Sequence, residues 1–199
     1  MEAPTKRRLA RVAGRLVSQR VRGLPPVAGR RVHTLILGSM PGIASLEAQE
    51  YYGHPRNAFW DVAQAVEIPR SLHYRRRCAR LKHLGFALWD VLAECERAGS
   101  LDQAIRAPEA NDLGGFARRA SLERIWFNGQ AARRWFDRLV APAFVAVSPH
   151  VALRTFPSTS PAHTSPEKYG VWRSALLQAV EESRGRTPAE ILAGRFGVR

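Results

Sequence analysis

The sequence predicts an α/β fold, a parallel sheet with helices on both faces. Two observations predict it. Short apolar runs of strand length alternate with segments of helical period along most of the chain, the pattern of strand–helix–strand units. The length of 199 residues and a 45% hydrophobic content suit one domain with a sizeable core and extensions.

In chain order, residues 1–30 stand apart as a basic arm. "TKRRLARVAGRLVSQRVRGLPPVAGRR" is rich in arginine and nearly free of acid. Leu9, Val12, Leu16 and Val17 have roughly helical spacing, so a short basic helix is expected before Pro25 and Pro26. A phosphate-tracking arm, a solvated tail and a transit peptide would share this composition. Strand 1 is expected over 32–38, where "VHTLILG" runs apolar into a glycine. A helix follows over 58–66 and another over 75–84. "GFALWDVL", 85–92, reads as a second buried strand. "DLGGFARRASLE" reads as a helical link, and "RIWFNG", 124–129, as strand 3. "QAARRWFDRLV" places Ala132, Trp135, Phe136 and Leu139 on one helical face. "VALRTFPSTSPAH", 151–163, is a fourth strand ending in a polar loop. "SPEKYGVWRSALLQAVEES" opens with Ser165 as N-cap and Pro166 at the first helical position. The expected boundaries are therefore 1–30 for the arm, 31–183 for the α/β domain and 184–199 for a C-terminal extension.

Composition narrows the function classes. There are 31 Lys+Arg against 17 Asp+Glu, a net charge of +14, which points to a polyanionic partner, most simply nucleic acid. GC-rich codon usage would explain the choice of arginine over lysine, but not the shortage of acids. Cys78 and Cys95 form no CxxC pair, so reduced thiols are expected and a thiolate metal site is not. The six histidines are scattered without H-E-x-x-H, and no metal or other cofactor is expected. No run approaches a membrane span, and the N-terminus lacks an apolar signal core. A cytoplasmic, nucleoid-associated monomer without membrane contact is the expectation.

Ligands of open α/β sheets bind outside the carboxyl ends of the strands. Three loops leave such ends here: 38–60, 128–129 and 158–163. The first, "GSMPGIASLEAQEYYGHPRNAFW", gathers aromatics, an amide and glycines with one arginine and no lysine. It is not a phosphate-binding P-loop, having no GK[ST], and no G-x-S-x-G occurs anywhere in the chain. Backbone N–H groups, flat rings and side-chain amides suit a planar heterocycle, held by stacking and read at its edge.

"ILGSMPG", "YYGHPRNAFW", "FNG" and "STSPAH", in that order over roughly 31–180, resemble the uracil-DNA glycosylase superfamily, and most closely its hypoxanthine-DNA glycosylase branch. The resemblance implies a three-layer α/β/α sandwich around a four-stranded parallel sheet. It implies a monofunctional DNA glycosylase that flips out a deaminated base, hypoxanthine or uracil, and cleaves its N-glycosidic bond with water. A uracil-specific enzyme of the same fold, or a non-catalytic module binding damaged DNA, are the alternatives. A nucleoside hydrolase would carry an aspartate cluster for calcium, which is absent.

The same resemblance assigns the residues. Wider relatives carry Asp or Asn where this chain has Met40, and in the hypoxanthine branch the asparagine of "HPRN", here Asn57, takes over that catalytic role. Asparagine before a helix is also a good cap. Tyr52 is implied to stack on the flipped base, with Tyr51 in the core. Gly38, Ser39 and Met40 are implied to bind the base through backbone amides. Asn128 either reads the base edge or turns the chain before Gly129. Ser158, Ser160 and Pro161 are implied to hold DNA next to the lesion, and Ala162 or His163 to fill the vacated stack.

Overall fold

The computed structural model describes residues 11–12, 15–16, 19–120 and 122–185. β1 (Arg11–Val12) and β2 (Arg15–Leu16) pair antiparallel, and β3 (Gln19–Arg22) follows. The first long apolar run forms β4 (Thr34–Gly38), which leads to α1 (Ile43–Ala48), α2 (Phe59–Ala63) with a 3-10 turn at Gln64–Val66, and α3 (Tyr74–His83). β5 (Phe86–Asp90) is followed by β6 (Leu92–Arg97), a 3-10 turn at Asp102–Ala104 and β7 (Arg106–Ala110). Next come α4 (Leu113–Arg119), β8 (Arg124–Asn128), α5 (Gln130–Leu139) and α6 (Ala141–Val147). β9 (Ala152–Phe156) and α7 (Glu167–Ser183) complete the described chain.

The central sheet has the order β5-β4-β8-β9, and all three pairings are parallel. Side chains alternate across a strand, so each strand feeds two cores. Ile36, Phe86, Leu88, Trp126 and Phe156 face one side, against α2, α3 and the Trp172 face of α7. Leu35, Leu37, Ala87, Ile125 and Phe127 face the other, against α4, α5 and α6. This is the expected three-layer α/β/α arrangement around four parallel strands.

The strand expected over 85–92 is two strands. β5 ends at Asp90, and after Val91 the chain leaves the central sheet to form β6. β6 pairs antiparallel with both β3 and β7 in a separate three-stranded sheet. The break expected at residue 30 is therefore absent. β3 is hydrogen-bonded to β6, Leu24 is buried in the first core, and Val27 bridges Leu88.

The basic helix expected around Leu9–Val17 is likewise corrected where the chain is described, because Arg11–Val12 and Arg15–Leu16 form a two-stranded ladder; Leu9 and Val17 lie outside the described residues. The cap expected at Ser165 is also displaced. α7 begins at Glu167 with Pro166 in the cap position, and no side chain caps it. Beyond Gly185 the C-terminal extension lies outside the described residues.

Candidate active site

A cavity of about 180 Å³ opens at the carboxyl edge of the central sheet. Its walls come from all three expected loops and the strand ends that lead into them: Gly38 at the end of β4 with Ser39 and Met40, Tyr52, His54 and Asn57 before α2, Asn128 at the end of β8, and 158–161 after β9. Ala162 and His163 do not line it and are exposed.

The loop before α2 is held from several sides. Tyr51 is buried, its hydroxyl donates to the Leu24 carbonyl, and its own carbonyl accepts from Trp60 Nε1. Arg70 clamps the HPRN turn, donating to the carbonyls of Pro55 and Asn57 and to the Asp61 carboxylate. Tyr52 sits at φ +57°, a left-handed conformation that a tyrosine adopts only where the surroundings impose it. Its ring stacks on Phe59 with centroids 4.1 Å apart and also lines the cavity. Its hydroxyl is buried beside the Asn128 amide without a hydrogen-bond partner, and burial pushes its pKa well up.

Asn57 supports the start of α2 with one end of its side chain and lines the cavity. Its Oδ1 accepts from the Phe59 N–H at 3.0 Å, which serves the open start of α2. Its Nδ2 donates to nothing among the described residues, and the residue lines the cavity. The backbone amides of Ser39, Met40 and Gly42 also make no hydrogen bond among the described residues, whereas the Gly38 and Ser39 carbonyls accept from Val91 and Leu92. At the head of the first loop two carbonyls are thus engaged with the fold, while these three amides, on residues that line the cavity, are unpartnered.

Asn128 is placed differently from a free edge-reader. Its Nδ2 donates to Thr159 Oγ1 and its Oδ1 accepts from Thr159 N, both at 2.8 Å. The turn after it needs glycine, since Gly129 has φ +101° and an added Cβ would come 2.9 Å from Ser158 Cβ. Ser158 and Ser160 make local turn contacts to the Ser160 and Ala162 amides.

Several residues of the site were not singled out from sequence. Asp90 and Asp102 line the cavity, and the Ser39 hydroxyl donates to Asp102. Asp90 is 4% exposed. Burial, reinforced by the Asp102 carboxylate and opposed by Arg97, pushes its carboxyl up to about 7. Arg97 is buried and donates to the Pro41 carbonyl beneath the first loop. Lys168, buried in the first turn of α7, donates to the carbonyls of Ser160 and His163 and so fixes the loop after β9. Only Asp90 carried a sequence signal, as a lone acid closing an apolar strand at the edge where ligands bind. The others are recognised by their contacts.

A second cavity adjoins the first, with Asp102 common to both; Arg106, Arg134, Arg138 and Trp135 line it. Among the described residues no cluster of His, Cys, Asp or Glu is arranged to hold a metal ion, and no helix is long and apolar enough to cross a membrane.

No family model matches the chain. Two curated relatives do. "Hypoxanthine DNA glycosylase" of Methanosarcina acetivorans is 40% identical over 114 residues, 56% of this chain and 72% of the relative. The protein of the same name from Methanosarcina barkeri is 37% identical over 111 residues, 54% of this chain and 70% of the relative. A solution NMR structure from Methanosarcina acetivorans, whose name calls it a candidate uracil DNA glycosylase, superposes with a TM-score of 0.70 at 31% identity. It covers 81% of this chain and 99% of that one.

Proposed function

The chain belongs to the hypoxanthine-DNA glycosylase branch of the uracil-DNA glycosylase superfamily and is a DNA glycosylase acting on deaminated bases; from that premise we propose that it flips hypoxanthine or uracil out of DNA and releases it by water attack, as a monofunctional enzyme. The observation that carries this reading is the joining, in one cavity, of a stacking ring (Tyr52), an amide with a free donor (Asn57) and three unpartnered backbone N–H groups (Ser39, Met40, Gly42).

A base inside a duplex is out of reach, so the nucleotide swings into a pocket that reads its edge. Tyr52, backed by Phe59, supplies the platform. As the C1′–N bond lengthens, negative charge grows on the base and positive charge on the sugar. Fixed N–H groups near Ser39 and Met40 meet the base anion as an oxyanion hole meets an alkoxide. The Asn57 Nδ2 is free to hold the attacking water or the base. Lys168 beside the last loop is held by two backbone carbonyls, so its amine is not presented for a Schiff base with the abasic sugar. The loop over 158–163 and the arginine-lined cavity beside the pocket offer contacts to the flanking phosphates. On this reading the protein acts as a monomer on DNA.

The test is base release from oligonucleotides containing deoxyinosine, deoxyuridine or deoxyxanthosine, in EDTA, followed by alkali. Strand breaks after alkali on at least one of them are expected. Retained DNA binding with no alkali-labile site on any would favour a binding module.

A further inference from the structure

Asp90 stands at the end of β5 against the cavity wall. The strand register pairs it with Gly38, and its carbonyl accepts from Asn111 Nδ2 at 2.9 Å, so its position is set by the sheet. A Cβ at position 38 would lie 2.3 Å from Asp90 Oδ1. Glycine there is what admits the carboxyl to the head of the first loop.

Polar and charged groups face this carboxyl from three elements. Tyr51 and Tyr52 face it from the loop before α2, Asp102 from the 3-10 turn and Arg97 from β6. The Tyr51 hydroxyl donates to Leu24 and also lies against the Asp90 carboxyl, Asp102 accepts from Ser39, and Arg97 donates to Pro41 through one nitrogen while its Nε and Nη1 are buried without a partner. Asp90 Oδ2 is buried with no partner. A buried carboxyl oxygen without a partner is costly. The residue lines the cavity, so a base seated there lies beside this carboxyl.

We propose that Asp90 is a catalytic acid of this pocket, its neutral carboxyl donating a proton to the departing base. The assignment rests on the glycosylase reading above. The C1′–N bond breaks with its electron pair on the base, and the charge spreads to the ring nitrogens and the carbonyl oxygen. The Asp90 O–H proton passes to that anion and leaves a carboxylate. Water adds its oxygen to C1′, and the proton it sheds restores the carboxyl through solvent. The sum is a neutral base plus an abasic sugar, with nothing oxidised or reduced.

Electrostatics select the acid form over an ionised base. An anion forming in a small buried pocket would be repelled by a carboxylate on its wall. Burial and the facing Asp102 carboxylate favour the protonated state up to about pH 7.

The experiment is the pH dependence of single-turnover base release by the full chain on deoxyinosine duplexes, for the wild type, Asp90→Asn and Asp90→Ala. The wild-type rate is expected to fall above pH 7 by about tenfold per unit. Asp90→Asn, which fills the same space but has no proton to give, is expected to lose about tenfold or more at pH 6 and to lack the alkaline limb. Asp90→Ala should be slower still. A wild-type rate that is flat or rises with pH overturns the proposal without any variant. An Asn variant with wild-type rate and limb does the same, as a merely structural residue would give. Absence of base release by the wild type from deoxyinosine, deoxyuridine and deoxyxanthosine alike would overturn the glycosylase reading instead.

Discussion

The side chain of Asn128 and the backbone and hydroxyl of Thr159 exchange two hydrogen bonds of 2.8 Å, joining the loop after β8 to the loop after β9. Thr159 is fully buried, and its carbonyl accepts from the Ala58 N–H. A single asparagine thus ties together the three loops that form the pocket. Asn128→Ala should lower stability by about 1–3 kcal/mol, since it leaves the Thr159 amide unpaired. Asn128→Asp should cost stability too, by losing the donor to Thr159 Oγ1. Thermal melts of the two variants check this, and an unchanged melting temperature in both would show that the tie is not needed.

Asn57 should fail in two measurable ways. Asn57→Ala is expected to slow base release by roughly a hundredfold or more, as loss of a placed catalytic polar group does. It should also cost about 1 kcal/mol of stability through the lost acceptor at the start of α2. Asn57→Ser would restore an oxygen near the Phe59 N–H but not the amide donor. Recovery of the melting temperature without recovery of rate separates the roles.

At Tyr52 the ring and the hydroxyl are separable. The hydroxyl is buried and unpaired, so Tyr52→Phe should keep activity and match or exceed wild-type stability. Tyr52→Ala removes the platform and the stack on Phe59 and should weaken capture of the flipped base by about 1–3 kcal/mol. Binding to a duplex carrying a non-cleavable deoxyinosine analogue, measured for both variants, gives the comparison. Equal losses would place the role in the hydroxyl.

Asp90 predicts a stability profile of its own. Its folded pKa lies above the unfolded value, so the folded protein holds a proton that the unfolded chain has lost. Stability from this group is complete below the unfolded carboxylate range and declines as pH rises toward 7. Asp90→Asn removes the titration. The difference in unfolding free energy between variant and wild type should therefore grow in the variant's favour from pH 4 to 7 and then level off. Denaturant melts across that range test it, and a constant difference would mean that Asp90 is ionised throughout.

Salt should act strongly. Residues 1–18 carry five Lys and Arg against one acid. Deleting them should flatten the log–log salt dependence of DNA affinity while leaving single-turnover cleavage at saturating enzyme near normal. Deletion through residue 28 should destabilise the fold, because it removes β3, Leu24 and the Val27 bridge. An unchanged slope in the shorter deletion would place the DNA-contacting arginines elsewhere.

The four parallel strands and the three loops at their ends were legible in the sequence because each strand is an apolar run broken by glycine, proline or a polar cluster. The second sheet was not. β6, "LAECER", carries three charges, and β7, "RAPEA", holds a proline and no β-branched residue, so both are strands only through their pairing. α1 was hidden inside a loop whose glycines and tyrosines drew the eye to chemistry. In the site, residue types near motifs were legible, while the partners of Asn128 and the loop-fixing role of Lys168 depend on contacts across 31 and 5–8 positions. Asp90 was written as the last polar letter of a strand, and only the register beside Gly38 brings it to the pocket.

The strand order β5-β4-β8-β9 has a consequence for synthesis of the chain. The pocket draws on residue 38, on 90, on 128 and on 158–161, so it closes only when the last strand has emerged and docked. Until then β8 presents an open edge, and Trp126 and Phe59 lack Trp172, which meets them at 6.2 and 6.1 Å between ring centroids. A nascent or truncated chain ending before residue 152 would therefore show DNA-attracting charge without a working cavity, and with a sticky strand edge open to a second chain. Competence for repair arrives in a single late step, when α7 seats its tryptophan and Lys168 draws in the final loop.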